Sequence, residues 1–85
     1  MKFIHFVGIG GIGLSALAMY LKREGSSVSG SDIKETKITK KLRDEGIKVS
    51  VPHDAKNIKK QDLVIYTAVA KDDNVELKEA RKRGI

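Results

Sequence analysis

The sequence predicts one α/β domain in which parallel strands alternate with helices around a single sheet. Three observations lead to this fold class. The chain opens with a short apolar run, which a cluster of glycines and then a helical pattern follow. Apolar runs and helical patterns go on alternating to the end of the chain. Finally, 85 residues make one domain at most, because a chain of this length buries only roughly 60–65% of its unfolded surface.

The first strand and helix form the most clearly predicted unit. Phe3–Val7 is apolar, aromatic and β-branched, which is typical of a strand buried on both faces. After the glycines, apolar residues recur at helical spacing from Leu14 to Leu21. This helix is expected to close at Lys22–Glu24, with Gly25 just beyond its end. The unit is therefore a strand, a tight glycine turn and a helix.

The middle of the chain repeats this alternation. Ser27–Gly30 predicts a weaker second strand that ends at Ser31–Asp32. Glu35–Glu45 has a helical pattern, with Ile38 among its inward-facing residues. Ile47–Val51 then predicts a short third strand.

The last part of the chain predicts a short crossover, a fourth strand and a third helix. Only about ten residues connect the third strand to the fourth, near the minimum for a crossover, so we expect a single helical turn that starts at Asp54. Leu63–Tyr66 is the fourth strand. Asp73 and Glu76 have the spacing of a capping box, from which a helix is expected to run to Arg83.

Right-handed crossovers arrange these strands in one parallel sheet, most simply in the order 3-2-1-4 of a Rossmann-like three-layer domain. A fifth strand is expected to begin where the chain stops, at Gly84–Ile85. We therefore expect residues 1–85 to be one domain of a longer protein, with the fifth strand truncated.

The composition argues against several classes of function. The absence of cysteine excludes disulfides, thiolate zinc sites and a cysteine nucleophile. Lys and Arg number 17 against 11 Asp and Glu, and the net charge of +6 favours anionic partners. Because the basic residues are scattered and aromatic residues are few, no nucleic-acid partner is expected. The uncharged segment Phe3–Leu21 contains His5 and glycines and no cleavage site follows it, so no membrane partner is expected either.

A glycine-rich loop after the first strand carries the main functional signal. Gly8, Gly10 and Gly13 form a G-x-G-x-x-G pattern between a strand and a helix, and an acidic residue, Asp32, ends the next strand. Glycine permits the tight turn and brings backbone N–H groups, those of Gly10 and Gly11 above all, close to a diphosphate. Gly13 is expected to let the helix pack closely on the strand. The candidate phosphate-binding residues are Gly8, Ile9, Gly10, Gly11, Ile12, Gly13 and, through its hydroxyl group, Ser15.

Ligands of such sheets bind beyond the carboxyl ends of the strands, where the topology reverses. The residues expected around that crevice, besides the glycine loop, are Ser31, Asp32, His53, Thr67, Ala68 and Val69. Two alternatives stay open: Asp32 also suits the cap of the following helix, and His53 is equally well interpreted as a surface histidine. His5 is interpreted as a packed residue with one satisfied ring nitrogen. The spacing of acidic, serine and histidine residues predicts neither a catalytic group nor a metal site.

The loop and three later stretches resemble one enzyme family. The segment from His5 to Ser15 is similar to the opening of the Mur ligases that join L-alanine to UDP-N-acetylmuramate, and the likeness continues through the whole chain. The later stretches are Gly30–Asp32, Pro52–His53 with Asn57, and Tyr66–Val69 followed by Asp73–Asn74. Leu14, Thr67 and Val75 replace the methionine, serine and proline that are usual in the family, and the glycine loop is unchanged.

This resemblance implies a cytoplasmic, ATP-dependent ligase of peptidoglycan precursor synthesis. In such a ligase ATP phosphorylates the muramoyl carboxylate, and the amine of L-alanine attacks the acyl phosphate. ATP, Mg²⁺ and the amino acid would bind to two further domains, whose motifs this chain lacks. The present domain would hold the UDP part of UDP-N-acetylmuramate, with Gly10–Gly13 at the diphosphate, Ser31 and Asp32 on the uridine side and Thr67–Val69 closing the pocket. Alone, it would bind and not catalyse.

Two other functions remain open from the residues themselves. An NAD-binding domain of an oxidoreductase or of a nucleotide-sensing regulator is chemically sound, because Asp32 suits a ribose diol. A non-catalytic interaction module would use the basic surface instead. Gly30–Asp32 and Tyr66–Val69 favour the ligase over both.

Overall fold

A parallel four-stranded sheet forms the centre of the computed structural model, which describes residues 1–85. The strands are β1 (Phe3–Val7), β2 (Ser27–Ser31), β3 (Lys48–Ser50) and β4 (Leu63–Tyr66). They lie in the order β3-β2-β1-β4, and every neighbouring pair is parallel. The predicted fold class and strand order are confirmed.

Three α-helices and one short 3₁₀ turn connect the strands. They are α1 (Ile12–Arg23), α2 (Lys37–Asp44), the 3₁₀ turn (Ala55–Asn57) and α3 (Val75–Lys82). The turn begins after Asp54 as predicted, because the Asp54 side chain accepts a hydrogen bond from the Lys56 N–H. None of these helices has the length and apolar character that a membrane crossing requires.

Both later α-helices start at residues other than those the sequence suggested. In α2, Thr36 and Thr39 cap each other through side chain and backbone, so the helix begins after Thr36 and not at Glu35. In α3, Asn74 is the cap, and its side chain accepts from the N–H of Glu76. The predicted capping box of Asp73 and Glu76 is therefore wrong, because the Glu76 carboxylate is buried and turned toward the sheet.

The two faces of the sheet differ in polarity. Ile4 and Phe6 of β1 lie in the apolar core, which α1 and α2 cover. The remaining buried members of this core are Ile9, Ala18, Val28, Leu42, Ile47 and Val49. His5 alternates with its apolar neighbours and so faces the opposite side, where its ring bonds Ser29 of β2 and Glu76 of α3. Both of its nitrogens are satisfied, where the sequence analysis expected one.

The glycine loop is fixed to the sheet at Gly30, on β2. The Ile9 side chain is fully buried against this residue, and a Cβ atom on Gly30 would lie 2.7 Å from the Ile9 Cβ. A Cβ atom on Gly13, in contrast, would meet nothing within 4 Å. The expectation that Gly13 permits close helix packing is wrong, because the close approach occurs between Ile9 and Gly30.

We predict that Gly30→Ala lowers the free energy of unfolding by about 1–3 kcal/mol, since the new methyl group overlaps a buried side chain in a packed core. Urea unfolding followed by circular dichroism measures this change. Ser27→Ala on the same strand is the control, because the Ser27 hydroxyl has no hydrogen-bond partner in the protein, and it should cost about 0.5 kcal/mol or less. Equal stability of Gly30→Ala and the parent chain would contradict the packing argument.

Candidate functional site

A crevice of about 710 Å³ opens at the carboxyl ends of β1, β2 and β4. It lies where the strand order reverses, because the chain runs from β1 outward to β3 and then returns to place β4 on the other side of β1. This is the usual ligand position in this class of fold. The predicted site residues that line it are Gly8, Gly10, Gly11, Asp32, His53, Thr67 and Val69. The structure therefore brings together residues from the glycine loop and from the segments that follow β2, β3 and β4.

The start of α1 presents unpartnered donors. The first backbone hydrogen bond of the helix runs from the Ser15 N–H to the Gly11 carbonyl at 2.8 Å. The N–H groups of Ile12, Gly13 and Leu14 have no acceptor in the protein. Gly11 occupies the cap position without a capping side chain, and the first turn contains no acidic residue. This end of the helix carries a partial positive charge and open donors, which suit an anion.

The loop N–H groups that precede the helix are already used within the protein. Those of Gly8 and Ile9 both donate to the Ser31 carbonyl, at 2.9 and 3.0 Å. The Gly10 N–H donates to the Asp32 Oδ2 at 2.7 Å, and the Gly11 N–H donates to the Gly8 carbonyl at 3.1 Å. The open donors thus begin further along the chain than the sequence analysis expected, at the helix itself and not at Gly10 and Gly11.

Asp32 bridges the loop and the end of β2. One carboxylate oxygen accepts from the Gly10 N–H and the other from the Ile33 N–H, also at 2.7 Å. A Cβ atom on Gly10 would lie 2.7 Å from the Asp32 Oδ2, so a side chain at this position would displace the carboxylate. The alternative role of Asp32 as the cap of α2 is wrong, because Thr36 caps that helix.

Glu76 lies beneath the crevice and is the central residue that the sequence analysis missed. Its side chain is fully buried, and Oε1 lies 2.6 Å from His5 Nε2 and 2.7 Å from Ser31 Oγ. Its other oxygen accepts from the Asp54 N–H at 3.0 Å and from Asn57 Nδ2 at 2.8 Å. One carboxylate therefore joins β1, β2, the 3₁₀ turn and α3.

The environment of Glu76 keeps it ionised. Burial raises the pKa of its carboxyl group, but the four hydrogen bonds that it accepts outweigh burial and lower the pKa to about 2. The available sequence signal was His5, because a histidine inside an apolar strand requires a buried polar partner.

Ser31 and His53 connect this carboxylate to the crevice. Ser31 is fully buried, and its hydroxyl oxygen lies 2.7 Å from both Glu76 Oε1 and His53 Nδ1. The His53 ring lines the crevice, and 17% of its side chain is exposed. Ser31, which was expected on the uridine side, thus contacts the crevice through His53.

The remaining predicted residues have different positions. Ile9 is buried in the core, whereas Ile12 is 85% exposed. The Ser15 hydroxyl donates to the Ile12 carbonyl at 3.0 Å, within the first turn of α1. Ala68 is exposed beside Thr67 and Val69, whereas those two residues line the crevice.

Two lysines that are not among the predicted site residues also line the crevice. Lys34 follows Asp32 at the end of β2, and Lys71 follows β4. Neither ammonium group forms an ion pair with a carboxylate of the protein. Both follow the carboxyl end of a strand, and this position is the sequence signal that could have identified them among the scattered basic residues.

Known proteins match the chain along its whole length. The family described as Mur ligase family, catalytic domain, matches residues 3–85. The UDP-N-acetylmuramate–L-alanine ligase of Campylobacter jejuni is 59% identical over 85 residues, which are 100% of this chain and 20% of that protein. The protein of the same name from Caldanaerobacter subterraneus is 49% identical over 99% of this chain and 18% of its own length.

Solved structures agree with these matches. The UDP-N-acetylmuramate–alanine ligase of Thermotoga maritima superposes with a TM-score of 0.97 at 48% identity, over 100% of this chain and 20% of that one. The UDP-N-acetylmuramate:L-alanyl-gamma-D-glutamyl-meso-diaminopimelate ligase of Neisseria meningitides gives a TM-score of 0.90 at 33% identity, over 100% of this chain and 27% of that one. The chain spans about a fifth of the length of the first relatives it matches, 20% in the Campylobacter protein.

We predict that the ionised Glu76 stabilises the fold above pH 4.5 and that this contribution disappears as the pH falls toward 2. Folding lowers the pKa of this carboxyl from 4.5 to about 2, so in that window the unfolded chain binds a proton that the folded chain excludes. The loss is on the order of 3 kcal/mol. Denaturant unfolding of the parent chain and of Glu76→Gln at several pH values measures it, and the variant should lack most of this slope.

Glu79→Gln is the matched control on the same helix. The Glu79 carboxylate pairs with Arg83, which lies four residues further along the same helix, and surface ion pairs of this kind contribute little, so its replacement should leave the free energy of unfolding nearly unchanged. If Glu76→Gln retained the full pH dependence between 4.5 and 2, the buried carboxylate would not be its source.

Proposed function

The chain belongs to the Mur ligase family, and from this membership and the crevice we propose that it binds the UDP part of UDP-N-acetylmuramate for a ligase that joins this compound to L-alanine. The observation that carries the proposal is the start of α1, where three consecutive N–H groups have no acceptor in the protein. It supports a diphosphate site in a chain whose relatives are named for a UDP-sugar substrate.

The diphosphate would lie against the first turn of α1. Ile12, Gly13 and Leu14 would donate their free N–H groups, and the helix dipole favours the negative charge there. Lys34 and Lys71 line the same crevice without carboxylate partners and would add two positive charges. Backbone donors and lysines together match a group with two negatively charged phosphates.

The uridine would occupy the side of the crevice formed after β2 and β3. Asp32 and His53 are two of the polar side chains on that side, and the Ser31 hydroxyl bonds the His53 ring. Thr67 and Val69, after β4, would close the opposite side, with the exposed Ala68 between them. This arrangement supports a binding function for the chain.

Catalysis is proposed for the rest of the ligase, which would use ATP and Mg²⁺. No three His, Asp or Glu side chains of this chain are grouped so as to hold a metal ion. A ligand held by its UDP part has its reactive end fixed in place, and the binding energy then contributes to the rate of reaction at that end. An NAD-binding role, the alternative from sequence, is not favoured by the comparisons.

We predict that the amides of the glycine loop shift on addition of UDP and of UDP-N-acetylmuramate, and not on addition of NAD⁺. The largest changes are expected at Ile12–Leu14, whose N–H groups would gain phosphate acceptors, and at Asp32. A titration of ¹⁵N-labelled chain with the three ligands in parallel, followed by amide correlation spectra, measures this. A stronger response to NAD⁺ would overturn the proposal in favour of a dinucleotide-binding domain.

We predict that Gly13→Ala weakens UDP binding about tenfold and leaves the fold intact, a loss of about 1.4 kcal/mol in binding free energy. A Cβ atom on Gly13 meets no protein atom within 4 Å, so the methyl group affects only what lies outside the protein. Alanine is also the better helix former, so the free energy of unfolding should stay equal or rise by up to about 1 kcal/mol. Calorimetric titration and urea unfolding provide the two readouts.

The control for this variant is Ala16→Gly, which lies in α1 on the exposed surface and outside the crevice. It should lower helix stability by about 1 kcal/mol without altering the affinity for UDP. Unchanged UDP affinity of Gly13→Ala would place the diphosphate elsewhere.

A further inference from the structure

Three side chains form a hydrogen-bonded chain from the buried face of helix α3 to the wall of the crevice. Glu76 Oε1 lies 2.7 Å from Ser31 Oγ, and Ser31 Oγ lies 2.7 Å from His53 Nδ1. Glu76 and Ser31 are both fully buried, at 0% exposure. Solvent therefore offers neither of them an alternative partner, and the direction of each hydrogen bond follows from the chemistry of the three groups.

The ionised carboxylate determines the direction of the first bond. A carboxylate can only accept, whereas a serine hydroxyl has one proton to donate and lone pairs that accept. The pKa of Glu76 is lowered to about 2, so the group is ionised at neutral pH. Ser31 must therefore donate its only proton to Glu76, and its oxygen remains as an acceptor toward His53.

The same reasoning determines the proton on His53. Since Ser31 Oγ can only accept at this point, the Nδ1 atom of His53 must carry the hydrogen that completes the 2.7 Å bond. A neutral imidazole has one ring proton, so the Nε2 atom is left with a lone pair. That nitrogen has no hydrogen bond in the protein, and no buried side-chain nitrogen or oxygen lacks a partner. Nε2 is therefore accessible in the crevice that His53 lines.

Glu76 also fixes the segment that carries His53. Its second oxygen accepts from the N–H of Asp54, the residue after His53, and from Asn57 at the end of the 3₁₀ turn. The remaining contact of Oε1 is with His5 Nε2 at 2.6 Å. Every group that bonds the Glu76 carboxylate donates a hydrogen bond to it. None of the other donors can therefore replace Glu76 as the acceptor of the Ser31 proton.

We propose that Glu76 is a positioning residue of the nucleotide site: through Ser31 it places the ring proton of His53 on Nδ1, so that Nε2 accepts a hydrogen bond from an N–H or O–H of the bound nucleoside. The inference rests on the proposed function for the identity of the ligand and on the protein contacts alone for the state of His53. The nucleoside donors of this kind in UDP are the imide N–H of uracil and the ribose hydroxyl groups.

The first test reads the tautomer without any ligand. Long-range ¹H–¹⁵N correlation spectra of the chain at about pH 8, above the usual imidazole pKa of about 6.5, show which ring nitrogen carries the proton. The expected result is Nδ1–H for His53 and Nε2–H for His5, which donates to Glu76 and serves as the internal reference. A His53 proton on Nε2 in the parent chain would overturn the proposal.

Two variants test the source of this preference. In Ser31→Ala the acceptor at hydrogen-bond distance from Nδ1 is missing, since Glu76 Oε2 lies 3.7 Å away. In Glu76→Gln the amide can donate to Ser31, which then donates to His53. Both variants should move the His53 proton to Nε2 in most molecules. A purely structural role of Glu76 would leave the tautomer of the folded protein unchanged, and retention of Nδ1–H in folded Ser31→Ala contradicts the proposal even if Glu76→Gln does not fold.

The second test reads the ligand contact. Ser31→Ala should weaken UDP binding by about threefold to tenfold, the usual effect of a misdirected hydrogen bond. UDP methylated at the imide nitrogen and 2′-deoxy-UDP identify the donor. The parent chain should bind one of these analogues more weakly than UDP, whereas Ser31→Ala should bind that analogue and UDP equally well. If His53 carries its proton on Nδ1 and UDP does not bind, the proposed function is wrong and the effect of Glu76 on the His53 tautomer is confirmed. If UDP binds and His53 carries its proton on Nε2, the proposed function is supported and the positioning role of Glu76 is wrong.

Discussion

The buried carboxylate of Glu76 is the interaction on which the site depends. It accepts hydrogen bonds from β1, from β2 and from the segment around the 3₁₀ turn, and it stands on α3. Without it, the Nε2 atom of the buried His5 ring would have no hydrogen-bond partner, and an unsatisfied buried polar atom costs about 1–3 kcal/mol. With it, no buried side-chain nitrogen or oxygen lacks a partner. The polar residues beneath the crevice are therefore stable in a buried position because the Glu76 carboxylate accepts a hydrogen bond from each of them.

The two faces of the sheet have separate tasks as a result. The face under α1 and α2 is an apolar core, and the contact of Ile9 with Gly30 attaches the glycine loop to it. The opposite face carries His5, Ser29 and Ser31, which are polar and are arranged around Glu76. The crevice opens where both arrangements end, so the loop is positioned by apolar packing and His53 is positioned by hydrogen bonds.

Patterns within short stretches of sequence predicted the strands, their order and the glycine loop, because each rests on residues close together in the chain. The start of α3 was predicted incorrectly, since the spacing of Asp73 and Glu76 matches a local capping motif, whereas the actual partner of Glu76, His5, is 71 positions away. The packing role of Gly13 failed for a similar reason, because the close contact to β2 is made by Ile9 on Gly30. Long-range partners of a polar residue are not encoded in local spacing.

The ends of the helices give the strongest argument about what the crevice is for. Thr36 caps α2, Asn74 caps α3 and Asp54 caps the 3₁₀ turn, each with a side chain that accepts a backbone N–H. Such caps stabilise a helix by about 1 kcal/mol each. Only α1 begins at a glycine without a capping side chain, and it does so at the crevice. The fold thus leaves donors unpaired at the one helix start that adjoins the crevice, where an anionic ligand would supply the missing acceptors.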